Sequence, residues 1–470
     1  MRSTFLGFEI AKRGIQANQK GLDITGQNIT SINTPGYTRQ RVDFISVSGS
    51  TNDRIRRIGV GNAGQGVAFS GVSQIRNEFL DARFRNEFAQ TGYYDKAVSM
   101  LDGIEAVLNE VNTGLKPALS DVINSLHDFS GKPDQITNAN IVRSTTKSMA
   151  DLVNHIQSQL SQLQQQYTSD LHVDITNLNN QLKEVSLLNE SIAQQMLTSD
   201  TPTDTTNVNE LLDQRNMILD QLSQYGNIRI TMELDGTATV SMNDHPVVFG
   251  NQSEQINLLK QPNGTVNLTW QTNGQPVILS SGTIKASNDF INGTAGITKG
   301  VPYYQAQLNQ FAFALSDLMN STFTNGDGSF KQLIEFQGNT MKLTSDFEQN
   351  PGYILSTTNA LDNKEILSLI HRLEHPVSLS QFNGTLADFV DSYVTTLGQD
   401  ISFYSSRYDV SMAIVNDIEH RRDSISGVSL DEEGAQLMMY DKAYKAAARL
   451  MTTMDEALDI IINRTGLVGR

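Results

Sequence analysis

Both ends of this 470-residue chain carry an apolar row repeating every seven residues, which restricts the fold more than any other feature. The N-terminal row is Phe8, Ile15, Leu22 and Ile29, and the C-terminal row is Leu430, Leu437, Tyr444, Met451 and Leu458. A second C-terminal row, Tyr440, Ala447, Met454 and Ile461, lies three residues after the first, and this offset gives the a and d positions of a coiled-coil seam. The matching second row at the N-terminus is Ala11, Asn18, Thr25 and Ile32, while Gly7, Gly14 and Gly21 run beside the first. Glycine lets another helix come close, but each one costs an isolated helix about 1 kcal/mol relative to alanine, so the first helix needs a partner. The expected assembly seam comprises Phe8, Ile15, Leu22, Ile29, Leu437, Tyr440, Tyr444, Met451, Met454, Leu458 and Ile461.

Between the ends, the most regular stretch runs from Met149 to Met196, with apolar residues at every third or fourth position and no Gly or Pro from Asp134 to Thr201. That spacing predicts a continuous helix of roughly 50 residues and about 75 Å, a rod or a long hairpin. Phe79 to Phe129 also reads as helical, as do Tyr304 to Leu318, with Pro302 in a first turn, and the stripe from Leu386 to Ile418. Asn33-Thr34-Pro35-Gly36 closes the first helix, and Arg39 to about Val72 reads as extended. Alternation through Ile228, Ile230, Met232 and Leu234, a turn at Asp235-Gly236, and alternation through Ala238, Val240 and Met242 predict a hairpin. Asn263-Gly264 and Asn273-Gly274 mark further turns. Ser429 with Glu432 reads as a capping box opening the last helix. The expected fold is mainly α with an inserted β-rich portion (α+β), an elongated multi-domain axial protein with paired terminal coiled-coil helices.

Charge and motifs exclude several functions. The 51 Asp and Glu outnumber the 35 Lys and Arg, for a net charge of -16, so general attraction to nucleic acid or an anionic membrane is not expected. The local cluster Arg39, Arg41, Arg54, Arg56 and Arg57 reads as a solvated or subunit-facing patch. With no cysteine there is no disulfide, thiolate metal site or cysteine nucleophile. No run reaches the roughly 18 apolar residues of a membrane span, and the N-terminus lacks the apolar core of a secretory signal, so any exit from the cytoplasm takes another route. His371-Arg372-Leu373-Glu374-His375 fits H-x-x-E-H, a pattern that ligates zinc, but Pro376 ends the helix that should carry the ligands. Gly59 to Gly64 fits G-x-G-x-x-G, but the residues after it read as strand, not as the helix a pyrophosphate needs. Glu432 and Glu433 fit a helix first turn, where the dipole favours acids. No catalytic residue, cofactor or metal is expected.

Three separated segments carry a resemblance: Gln27 to Gln40 (QNITSINTPGYTRQ), Leu211 to Leu222 (LLDQRNMILDQL) and Ser424 to Glu433 (SISGVSLDEE). They resemble the flagellar hook-associated protein 1 family, the junction proteins between bacterial hook and filament. The resemblance implies a non-enzymatic subunit that assembles as a ring or short helical layer and contacts the hook protein and a second hook–filament junction protein. It implies export through the flagellar type III apparatus to the extracellular flagellum, and an export chaperone on the C-terminal helix at Leu437, Tyr444, Met451 and Leu458. The implied domains are residues 1–35 with 429–470 as an inner tube, 36–325 with 380–428 as a mainly helical domain bearing β-hairpins at about 227–290, and 326–379 as a reduced outer segment. Other family members have a larger outer domain there, and no role of that domain is carried over. The alternatives are a hook or rod axial subunit, which the Leu211 to Leu222 segment disfavours, and a secreted zinc peptidase.

Overall fold

The computed structural model describes residues 4–47, 64–198, 206–296, 298–356, 361–379 and 382–464. It is 67% helical, and its strands form small antiparallel sheets, so the chain is mainly α with an inserted β portion. Helix α1 (Thr4–Thr30) is followed by the hairpin β1 (Gln40–Ser46) and β2 (Val67–Gln74), which lies along it. Gly36, at φ +78, makes the intervening turn.

Two long helices follow, α2 (Glu78–Gly131) and α3 (Ile136–Thr198), then α4 (Thr206–Tyr225). The 63 residues of α3 are one unbroken helix of about 95 Å. Its apolar stripe, including Leu160, Leu171, Leu178 and Leu182, is buried with Leu101, Ile104 and Leu108 of α2. Each such side chain contributes on the order of 2 kcal/mol through removal from water.

Strands β3 (Ile228–Met232), β4 (Ala238–Met242), β5 (His245–Phe249) and β6 (Gln252–Ser253) form one sheet, and β7 (Ile256–Lys260) pairs with β8 (Val266–Trp270). Ile230 faces Val240 across the expected hairpin, with Gly236 in its turn at φ +80. Helices α5 (Thr283–Asn292) and α6 (Val301–Asn320) then return to the core.

Residues from β9 (Ile334–Gln337) and β10 (Thr340–Leu343) through α7 (Ser345–Gln349) and α8 (Lys364–Glu374) bury Leu333, Met341, Phe347, Ile366 and Leu373 in the same core. The short strands β11 (Val377–Leu379) and β12 (Phe382–Gly384) pair ahead of α9 (Leu386–Ser426). Helix α9 lies along α2, and a real capping box at Thr385 and Asp388 starts it. The chain ends in α10 (Leu430–Asp459). Among the described residues, no helix is long and apolar enough to cross a membrane.

Helices and strands are joined by asparagine side chains that copy the peptide group. An amide offers one acceptor oxygen and an NH2 donor, so it can both accept a residue's N–H and donate to that residue's C=O, as a neighbouring strand would. Asn154 does this to Met341, Asn179 to Ile256 and Asn189 to Ala238, all from α3, at 2.7–3.0 Å. Asn292 binds Val266 and Asn320 binds Ile334 in the same way. Strand edges that would otherwise be buried with unmet hydrogen bonds are thereby satisfied.

Candidate functional site

Helices α1 and α10 pack antiparallel, and the glycine row explains how closely. A Cβ on Gly7 would meet the end of Met454, one on Gly14 would touch Ala447 at 3.4 Å, and one on Gly21 would lie 2.8 Å from the Tyr440 ring. One series rises by seven as the other falls by seven, which is the register of a continuous seam. One heptad further on, the seam reaches Asn28 and Glu433, and there it becomes polar. The Asn28 amide donates to Glu433 Oε2 at 3.1 Å, with Asn28 1% and Glu433 0% exposed.

Asn28 uses its full hydrogen-bonding capacity. Its Nδ2 also donates to the Gln40 carbonyl at 2.9 Å, and its Oδ1 accepts from Gln40 N–H at 3.0 Å and from the Tyr37 hydroxyl at 2.7 Å. This is the peptide-copying contact again, now tying α1 to the start of β1. Arg39 Nε donates to Glu433 Oε1 at 2.7 Å and its Nη1 to Glu432 Oε2 at 2.6 Å, and its backbone N–H donates to the Ser426 carbonyl at 3.0 Å. Burial lowers the Arg39 pKa, but the hydrogen bond to Glu432 and the charge of Glu433 outweigh it and leave the guanidinium above its usual value. Burial, then Asp213 and Glu433, raise the Tyr37 hydroxyl, so it stays a donor.

These contacts continue into the body. Asp213 of α4 accepts from Thr38 N–H at 3.2 Å and from the Gln74 amide at 2.9 Å. Burial raises its pKa despite the hydrogen bonds from Thr38, the charge of Arg76 and the bond from Gln74. Asn209 donates to the Val72 carbonyl at 3.1 Å. Beyond them an alternating row of charges crosses three helices: Arg76 to Asp81 at 3.0 Å, Asp81 to Arg422 at 2.9 Å, Arg422 to Asp220 at 2.6 Å, and Asp220 to Arg85 at 2.6 Å. Arg422 also lies 4.3 Å from the centroid of the Phe84 ring. The three segments that carry the family resemblance, distant in sequence, therefore meet in one polar junction at the base of the terminal helix pair.

Two expectations are corrected here. Ser429 makes no side-chain cap, and Glu432 is turned to Arg39 instead of back to Ser429, so both halves of the expected capping box are missing from the last helix. Arg39 is not a solvated patch: its side chain is 12% exposed and held by two carboxylates. Arg41 is exposed beside Asp43 at 3.2 Å, and Arg54, Arg56 and Arg57 lie outside the described residues.

Tyr440 and Met454 meet the glycine row, with Tyr440 also 6.2 Å from the Phe44 ring. Phe8, Ile15, Leu22, Ile29, Tyr444, Met451 and Leu458 are only half-buried, and Leu437 and Ile461 are exposed. The fully covered positions of α1 include Ala11, Ala17, Ile24 and Thr25, and Ile24 packs on Val42 and Val72 of the hairpin. Sequence reasoning missed the Asn28, Arg39 and Glu433 cluster, although extending both seam rows by one heptad lands on Asn28 and Glu433.

Among the described residues, the other motifs form no site. His371 and His375 stack with ring centroids 3.7 Å apart, His375 Nδ1 lies 2.8 Å from the His371 carbonyl, and Glu374 reaches His127 at 3.1 Å. No group of three or more potential metal ligands occurs among the described residues. Gly59 to Ala63 lie outside the described residues, and a strand follows Gly64.

Residues 101–333 match the family model of the flagellar hook-associated protein FlgK helical domain, and residues 422–464 match the flagellar basal body rod FlgEFG protein C-terminal model. The chain is 26% identical to flagellar hook-associated protein 1 of Bacillus subtilis over all of both chains. It is 21% identical to that of Escherichia coli over 96% of this chain and 98% of the other. The solved flagellar hook junction protein FlgK of Burkholderia pseudomallei has the same fold, with a TM-score of 0.61 at 13% identity over 73% of this chain and 100% of that one. The chain belongs to the flagellar hook-associated protein 1 family, a family of structural flagellar proteins and not of enzymes.

Proposed function

We propose that this protein joins hook to filament in the extracellular flagellum, assembling as a ring or short helical layer through its terminal helices. The observation that carries this reading is the incomplete burial of α10. Glu433 is its one buried residue among those described, while Leu437, Met438, Met439 and Leu450 are 37%, 59%, 56% and 41% exposed. These side chains are distributed around the helix, so an isolated subunit leaves apolar surface on several sides of α10, and neighbouring copies would cover it. In this reading residues 1–35 and 429–470 line an inner tube, 36–325 and 380–428 surround it, and 326–379 is the outer segment. Leu437, Tyr444, Met451 and Leu458 face a type III export chaperone before assembly and other subunits after it. The hook protein lies on one side of the layer and a second junction protein on the other.

A hook or rod subunit would share the C-terminal segment, since residues 422–464 match a rod-protein model, but the match of 101–333 to the hook-associated helical domain favours the junction role. Removing the whole chain from its bacterium should leave hooks on the cells and filament protein in the medium, seen by electron microscopy and immunoblotting. Attached filaments in that strain would contradict the junction role, and loss of hooks would favour the rod or hook reading.

A further inference from the structure

A cleft of about 1000 Å³ opens between α2, α4 and β3. Three of the arginines lining it have a carboxylate of their own: Arg76 has Asp81 at 3.0 Å, Arg85 has Asp220 at 2.6 Å, and Arg229 has Asp244 at 3.1 Å. The fourth, Arg215, has none among the described residues, although it is only 1% exposed. Its Nη1 donates to Asn189 Oδ1 at 2.9 Å and to the Gly236 carbonyl at 2.7 Å. Among the described residues, its Nη2 has only the Met232 thioether at 3.5 Å, a weak acceptor, and its Nε has no partner.

A buried cation without a counter-charge is costly, and its environment pushes back. Burial first, then the charge of Arg85, lower the Arg215 pKa to about 10, so it remains charged at neutral pH. The unmet donors, Nε–H and Nη2, share one edge of the planar guanidinium, and that edge fits a carboxylate through two parallel hydrogen bonds. The surplus is a single positive charge. Asp81, Glu78 and Asp244 also line the cleft and would repel an anion of higher charge. Met196 and Met232, 45% and 46% exposed, stand at the same cleft, and their flexible thioethers can move aside for an entering group.

We propose that this cleft is a carboxylate-binding site, in which one carboxylate supplies the counter-charge that Arg215 lacks. The carboxylate comes either from a free monocarboxylate or from an Asp or Glu side chain of a second copy, of which this acidic chain has many.

The absence of native cysteine makes a clean test possible, because Met232→Cys places a single thiol beside the guanidinium. The rate of its alkylation by iodoacetamide is measured in the full chain with acetate, with acetamide as the neutral isostere, and with chloride at matched ionic strength. A saturable slowing of about tenfold by acetate alone identifies a solute-accessible site. Slowing by added unsubstituted chain, but not by acetate, identifies a neighbour's side chain as the source. Either effect should disappear when Arg215→Gln is added, with folding checked by circular dichroism. Equal rates under all conditions, or equal slowing by acetate and acetamide, would overturn the proposal, and the acetamide comparison holds even if Arg215→Gln fails to fold.

Discussion

Glu433→Ala should detach the terminal helix pair from the body at a cost of about 3 kcal/mol, the lower end of the range for breaking a buried ion pair by removing one partner. The substitution removes the carboxylate that receives Arg39 at 2.7 Å and the Asn28 amide at 3.1 Å, leaving a guanidinium that is 12% exposed with only the outer Glu432. Glu432→Ala is the matched control, since its side chain is 63% exposed and a solvated pair contributes under about 1 kcal/mol. Hydrogen exchange gives the readout. Protection should fall through α1, β1 and the first turns of α10 in Glu433→Ala while α2 and α3 keep theirs, and Glu432→Ala should change little. Similar small effects from both substitutions would mean that the junction does not hold the helices.

Gly282→Ala should destabilise the body itself, by roughly 3 kcal/mol, the upper end of the cost of one strained backbone position. Gly282 sits at φ +98 directly before α5, a conformation L residues rarely adopt, and an added Cβ would overlap the Tyr225 carbonyl at the end of α4. Backbone atoms on both sides leave no flexible side chain to give way. A thermal melt followed by circular dichroism should show the midpoint lowered by several degrees. Gly274→Ala serves as comparison: it also has positive φ, +68, but nothing lies within 4 Å of its Cβ, so its loss should be clearly smaller. Equal losses would assign the effect to backbone conformation alone.

The helices and their order were legible because their signal is local. The stripe from Met149 to Met196 has no breaker, and α3 is accordingly one helix. The seam register was partly legible, since the glycine row and the Tyr440, Ala447 and Met454 row were visible and do meet. Its polar end was not, because an apolar repeat stops being counted where Asn28 and Glu433 replace apolar residues. Glu432 was misread for a related reason: the capping-box pattern is local, but the competing Arg39 is 393 residues away in sequence. The asparagine contacts are also invisible in one dimension. Asn154 on a helix looks solvated until Met341, 187 residues later, brings its backbone beside it. Gly282 likewise looks like any turn glycine until Tyr225 is placed against it.

The proposal that the C-terminal helix holds the filament is tested most directly by a chain ending at Gln436. This truncation keeps Asn28, Arg39 and Glu433 in the chain and removes Leu437 to Arg470, and with them both the Tyr440, Ala447 and Met454 row that packs on α1 and the exposed Leu437, Met438, Met439 and Leu450. Filament attachment would be scored by electron microscopy, together with filament protein shed into the medium. The expected result is cells that keep their hooks but lose filaments to the medium. Attached filaments and normal swimming would contradict it, and the seam would then be dispensable for joining hook to filament.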